Sequence, residues 1–147
     1  MIIFLDILVK NINANNILYT SRYAMTEIIE QFRSDPNIQN IQKRHYTSIH
    51  VAVLVLRGKI IAHAHNKIGS RSRGCGYSNY SIHAEKNVVK EIGDNNKLKG
   101  ANMYVFRLGR GENSEVVMNS KPCYGCTLFL EKCMNKYGLN KVYYSSG

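Results

Sequence analysis

The sequence predicts an α/β protein, a three-layer α/β/α sandwich around a mixed sheet of four or five strands. Three observations carry that expectation. Residues 46–66 have the pattern of a β-hairpin, helix-periodic segments begin near 83 and 122, and strand-like runs at 101–108 and 140–146 alternate with those helices. Strands interleaved with helices bury their apolar faces by placing helices on both sides of a sheet.

Taken in chain order, "MIIFLDILVK" is apolar, but Asp6 interrupts it. No basic residues precede it and no small-residue cleavage site follows, so it reads as a strand or short helix and not as a secretory leader. Residues 20–33 place Tyr23, Ala24, Ile28 and Phe32 at amphipathic-helix spacing, and "RSDPN" breaks the pattern at Pro36. "YTSIHVAVLVL", 46–56, is β-branched and long enough for a buried strand. Arg57 and Gly58 form a tight turn, and "KIIAHAHN", 59–66, alternates as a half-buried partner strand does. Residues 67–80 are a Gly/Ser/Arg loop, and a helix runs from about 83 to 92, stopping near Gly93. After strand 101–108, "GRGEN" turns and "SEVVMN" runs back as a short arm. The next helix is opened by Pro122, a favoured first-turn residue, and closed by Gly138. "NKVYYSS", 140–146, is the last strand.

Composition narrows the function classes. A chain of 147 residues with 44% hydrophobic content suits one globular domain with one core, not a disordered segment. No apolar run approaches the roughly 20 residues that span a bilayer. With no leader recognised, the expected location is intracellular and cytoplasmic, with no membrane partner. The net charge of +10 is uneven. Residues 1–44 hold five basic and four acidic residues, against fifteen and six in 45–147. That basic body points to phosphate-bearing partners. Of the four cysteines, Cys123 and Cys126 are closely spaced, and such a pair in an intracellular protein binds metal or does redox chemistry more often than it forms a structural disulfide.

The chemistry-bearing residues fall at two predicted helix starts. Cys123 and Cys126 are three apart, on one helix face. A helix N-terminus favours the thiolate, and two thiolates make a soft site suited to zinc. A thioredoxin-like redox pair is the other reading of C-x-x-C, though it would need no distant histidine. In "SIHAEKNVVK", His83 can supply a third ligand, leaving a fourth position for water. Glu85, two residues on, need not touch the metal; a carboxylate beside an activated water can take its proton and pass it on. Taken singly, His83 would read as a helix cap and Glu85 as a favourable first-turn acid.

H-x-E followed by P-C-x-x-C resembles the cytidine-deaminase-like zinc deaminases, and "HAEKNVV" resembles their CMP/dCMP deaminase branch, where an asparagine often stands two residues after the glutamate, as Asn87 does. The resemblance covers roughly residues 45–146. It implies that His83, Cys123 and Cys126 bind Zn2+, that Glu85 shuttles protons, that Asn66 binds the substrate's sugar and that the backbone amide of Ala84 lies near the base. It further implies hydrolytic attack at C4 of cytosine in a nucleotide or nucleoside, with Glu85 protonating N3 and then the departing amine, and release of ammonia. Deamination of cytosine or adenine within single-stranded DNA or RNA is the alternative, and a catalytically silent binding relative is a third class. On this reading residues 1–147 are one deaminase domain, with 1–44 an N-terminal strand/helix extension and 45–147 the catalytic core.

Two departures stand out. Segment 109–121 is longer than in typical dCMP deaminases and reads as an inserted hairpin beside the site. The chain also stops after strand 140–146, where many relatives add a fifth strand; residues 1–10 could take that place, or the edge could pair with another subunit in a homo-oligomer. Among the remaining features, His63 and His65 share one strand face and read as ordinary polar-face residues before they read as a second metal site. Cys75 reads as a loop cysteine before an extra ligand, and Cys133 as core. Arg57, Lys59, Lys67, Arg71 and Arg73, followed by Tyr77 and Tyr80, suit a phosphate and a stacked base, or else a solvated loop.

Overall fold

The computed structural model describes residues 2–5, 16–44, 48–68, 81–113 and 116–146. Cys75, Arg71, Arg73, Tyr77 and Tyr80 lie outside the described residues. The main sheet contains β1 (Ile2–Leu5), β2 (Ile49–Leu56), β3 (Lys59–His65), β6 (Asn102–Leu108), β7 (Val117–Met118) and β8 (Lys141–Ser145). Five of these follow the order β1-β8-β6-β2-β3, with β7 paired to β6 off that path. A separate two-stranded ribbon joins β4 (Lys67–Ile68) to β5 (Ser81–Ile82).

The hairpin arises as the alternation predicts. Arg57 (φ 52°) and Gly58 (φ 77°) both take the left-handed conformation of a two-residue turn whose twist matches its strands. β2 pairs antiparallel with β3 and with β6. β6 and β8 are parallel, joined through the helix α4 (Tyr124–Tyr137). β1 then adds parallel to β8, Ile2 opposite Val142, and so occupies the fifth-strand place.

Period-two alternation sorts the strand residues into two cores. Val51, Val53, Phe106 and Tyr143 face one way, against Met25, Ile28 and Phe32 of α1 (Asn16–Arg33) and Ile38 of α2 (Pro36–Arg44). Ala52, Leu54, Met103, Val105 and Val142 face the other way, against Val88 and Val89 of α3 (Ala84–Ile92) and Leu130 and Cys133 of α4. Each aliphatic or aromatic side chain so buried stabilises the fold by roughly 1.5–3 kcal/mol. The result is the expected three-layer sandwich, and Cys133 is core.

Two boundaries differ from expectation. The break at "RSDPN" holds, since α1 ends at Arg33, but Pro36 then opens a second, unexpected helix, α2, because its ring fixes φ near the helical value and the first turn needs no N–H from it. Pro122 precedes the α4 helix, and Cys123 is its N-cap. Gly138 ends α4 in the left-handed conformation, as expected. No helix among the described residues is long and apolar enough to cross a membrane.

Candidate metal and substrate site

The site lies where two parallel strands end. β3 and β6 flank β2 antiparallel, so their carboxyl ends lie on the same side of the sheet, the usual ligand side of an open α/β sheet. α3 and α4 begin there, and their first residues face each other. His83 is the N-cap of α3 with extended backbone (φ −73°, ψ 156°), and its side chain makes no capping bond. The imidazole is thus turned away from its own helix and toward α4, which removes the capping interpretation. Cys123 Sγ accepts the N–H of Cys126 at 3.4 Å, holding the first turn of α4 closed.

His83 Nδ1 lies 3.6 Å from Cys123 Sγ and 3.4 Å from Cys126 Sγ. All three donor atoms fall within 4.8 Å of one another, and among the described residues no other group of three His, Cys, Asp or Glu side chains could hold a metal ion. Zn–S bonds of about 2.3 Å and Zn–N bonds of about 2.0 Å at tetrahedral angles set sulfur and nitrogen about 3.6 Å apart. The donor set therefore fits zinc in both chemistry and spacing. Burial lowers the pKa of His83, which favours the neutral ring, the form that ligates.

Glu85 is 4% exposed, with Cys126 Sγ 3.8 Å from its Oε2. Burial pushes its carboxyl above the usual range, opposed by bonds from its own backbone N–H and from Cys126. A cavity of about 200 Å³ opens beside these groups, lined by His83, Ala84, Glu85 and Cys123. Asn66 also lines it. Its Oδ1 accepts the His50 N–H at 3.0 Å and its own N–H donates to the His50 carbonyl at 3.2 Å, so its carboxamide is fixed to β2. Asn87 is a tether: its Nδ2 donates to the His65 carbonyl at 2.8 Å, locking α3 to the end of β3.

The chain matches the model of the cytidine and deoxycytidylate deaminase zinc-binding region over residues 35–146, more than half its length. The chain belongs to that deaminase family. Zinc is the family's metal and the cofactor of this protein, in keeping with the His/Cys/Cys group. A solved structure similar to this deaminase-family chain is the apo form of dCMP deaminase from the cyanophage S-TIM5, at 21% identity over 82% of this chain and 84% of that one, with a TM-score of 0.48. No curated protein matches the chain.

Four further cavity residues escaped the sequence: His50, Arg107, Asn119 and Lys121. His50 and Arg107 are cross-strand partners on β2 and β6, on the same sheet face as Ala52 and Val105. Asn119 and Lys121 come from the segment read as an inserted hairpin, which does return along β6, with Arg107 opposite Met118. The expected basic loop is not a cavity wall over its described part. Arg57 sits at the far end of the hairpin, about 20 Å of strand from Asn66, and Lys67 pairs with Glu91 at 3.8 Å. His63 packs edge-on against Phe32, 5.0 Å between ring centroids, on the opposite sheet face.

Proposed function

We propose that the protein is a zinc-dependent hydrolytic deaminase that converts the cytosine of a nucleotide or nucleoside to uracil and releases ammonia. The observation that supports this most directly is the convergence of one nitrogen and two sulfur donors with a buried carboxyl, that of Glu85, 3.8 Å from one of the sulfurs. His83, Cys123 and Cys126 would hold the metal. Zinc, when bound, supplies Lewis acidity and brings a coordinated water close to losing its proton at neutral pH.

The protein's own groups do the rest. Glu85 takes a proton from the attacking water as the C4–O bond forms and delivers it to N3 of the base. It then takes the remaining hydroxyl proton from the C4 adduct and passes it to the amine, so that the C4–N bond breaks, ammonia leaves and the C4 carbonyl forms. Its burial favours the protonated carboxyl, so it can hold each proton between taking it up and passing it on. The Ala84 N–H, at the first position of α3, is one of the donors a helix leaves without an intrahelical partner, and it faces the base edge. Asn66, fixed against β2, presents its amide to the sugar. Ammonia release from cytidine, deoxycytidine, their monophosphates and a cytosine-containing single-stranded oligonucleotide, with zinc content measured alongside, tests the reading. A zinc-loaded protein that releases no ammonia from any of them overturns it.

A further inference from the structure

Arg107 and Lys121 are cations that neither the metal nor the proton transfers require. Both line the cavity that holds Glu85 and the three metal donors. Arg107 is half-buried, and its Nε donates to Ser48 Oγ, so the guanidinium is aimed before any ligand arrives. Lys121 is exposed, two residues before Cys123. Among the described residues no carboxylate pairs with either, and Glu85 is the one acid among the residues lining the cavity. The residue opposite Arg107 on β2 is His50, which supplies no carboxylate to pair with the guanidinium. The cavity, at about 200 Å³, is below the roughly 300–1,000 Å³ of drug-sized ligand sites, so a group attached to the sugar sits at its mouth.

Resting on the deaminase reading, we propose that Arg107 and Lys121 form an anion-reading pair that binds the 5′-phosphate of a single nucleotide and makes the monophosphate, not the nucleoside, the preferred substrate. A guanidinium fork and one ammonium match a single phosphate group. A nucleic-acid strand needs a track of cations along several phosphates, and the described cavity wall offers two.

The test compares cytidine 5′-monophosphate with cytidine in turnover, and uridine 5′-monophosphate with uridine in calorimetric binding, using the zinc-loaded protein. The pair predicts a preference for the monophosphate of about tenfold or more in both, the usual scale of a charge-assisted hydrogen bond. Arg107→Ala and Lys121→Gln each cut the ratio about tenfold, and Arg107→Lys retains more of it than Arg107→Ala. Lys121→Gln changes an exposed side chain and keeps the test valid should Arg107→Ala fail to fold. Equal handling of monophosphate and nucleoside by the parent overturns the proposal, as does a ratio that survives Lys121→Gln and Arg107→Lys unchanged. So does an oligonucleotide bound more tightly than the monophosphate with a steep salt dependence. Monophosphate-selective binding that the variants lose, with no ammonia from any cytosine, supports the pair and sinks the deaminase reading; ammonia released with equal efficiency from cytidine and its monophosphate does the reverse.

Discussion

Glu85 and Cys123 make opposite demands on a substitution. Glu85 touches a donor sulfur but is proposed to move protons, so Glu85→Gln is expected to keep its zinc and its fold while turnover falls by roughly 10²–10⁴-fold. Cys123→Ser removes a proposed donor while its hydroxyl can still cap α4, and is expected to lose metal and, with the metal, stability. Metal analysis beside a rate measurement separates the two; a Glu85→Gln protein without zinc would make Glu85 a ligand. His50 allows a pH test. Its folded pKa of about 4 lies below its ordinary 6.5, so the unfolded chain binds the extra proton first. Stability due to neutral His50 is therefore complete above pH 6.5 and is lost as pH falls toward 4, up to about 3 kcal/mol in all. Denaturation midpoints across that range are expected to fall more steeply for the parent than for His50→Asn; parallel curves would show a solvated His50.

At the scale of elements, Ser120 decides where α4 begins. It is buried, its Oγ donates to the Val105 carbonyl at 2.8 Å and accepts the Ser145 N–H at 2.9 Å, and its own N–H donates to the Ser145 carbonyl at 2.9 Å. The segment carrying Lys121 and Cys123 is thus pinned between β6 and β8. Ser120→Ala leaves the Ser145 N–H without its acceptor, and a loss of about 1–3 kcal/mol is expected together with weaker zinc retention; unchanged stability and unchanged metal affinity would show that Pro122 and the helix position the site without it. Much of this architecture was legible. The hairpin, α3, α4 and the terminal strand follow from local periodicity and caps, and His83, Glu85, Cys123 and Cys126 stand out because each lies within a turn of a helix start. The break before Pro36 was legible too, but α2 was not, because the same ring that marks the end of one helix also suits the first turn of the next. His50 and Arg107 were illegible for a different reason. Nothing near either one signals a site; they meet through a cross-strand register and a choice of sheet face that only the assembled β2–β6 pair defines. Asn87 and Ser120 lie inside the recognisable motifs, yet what they do depends on the backbone groups of distant strands.

For the molecule as a whole, the sheet separates two tasks. One face, under α1 and α2, is packing alone among the described residues, while the other carries both a core and the site at its rim. The two halves of that site are 40 residues apart in the chain. With the proposed donors in place, the ion closes the intervening segment into a ring. Chain statistics then supply a contribution that no contact list contains: fixing the ends of a 40-residue loop removes about 4 kcal/mol of conformational entropy from the unfolded chain, by the estimate used for cross-links of that length. Chelation is expected to lower unfolding stability by a few kcal/mol and to speed amide exchange first at the starts of α3 and α4; equal stability with and without metal would mean that the ion fastens nothing. Ring closure depends only logarithmically on length, each doubling changing it by about 0.6 kcal/mol. The segment between β6 and α4, with Asn119 and Lys121 in it, can therefore lengthen or shorten almost without thermodynamic consequence, although it lies inside the loop that the metal would fasten.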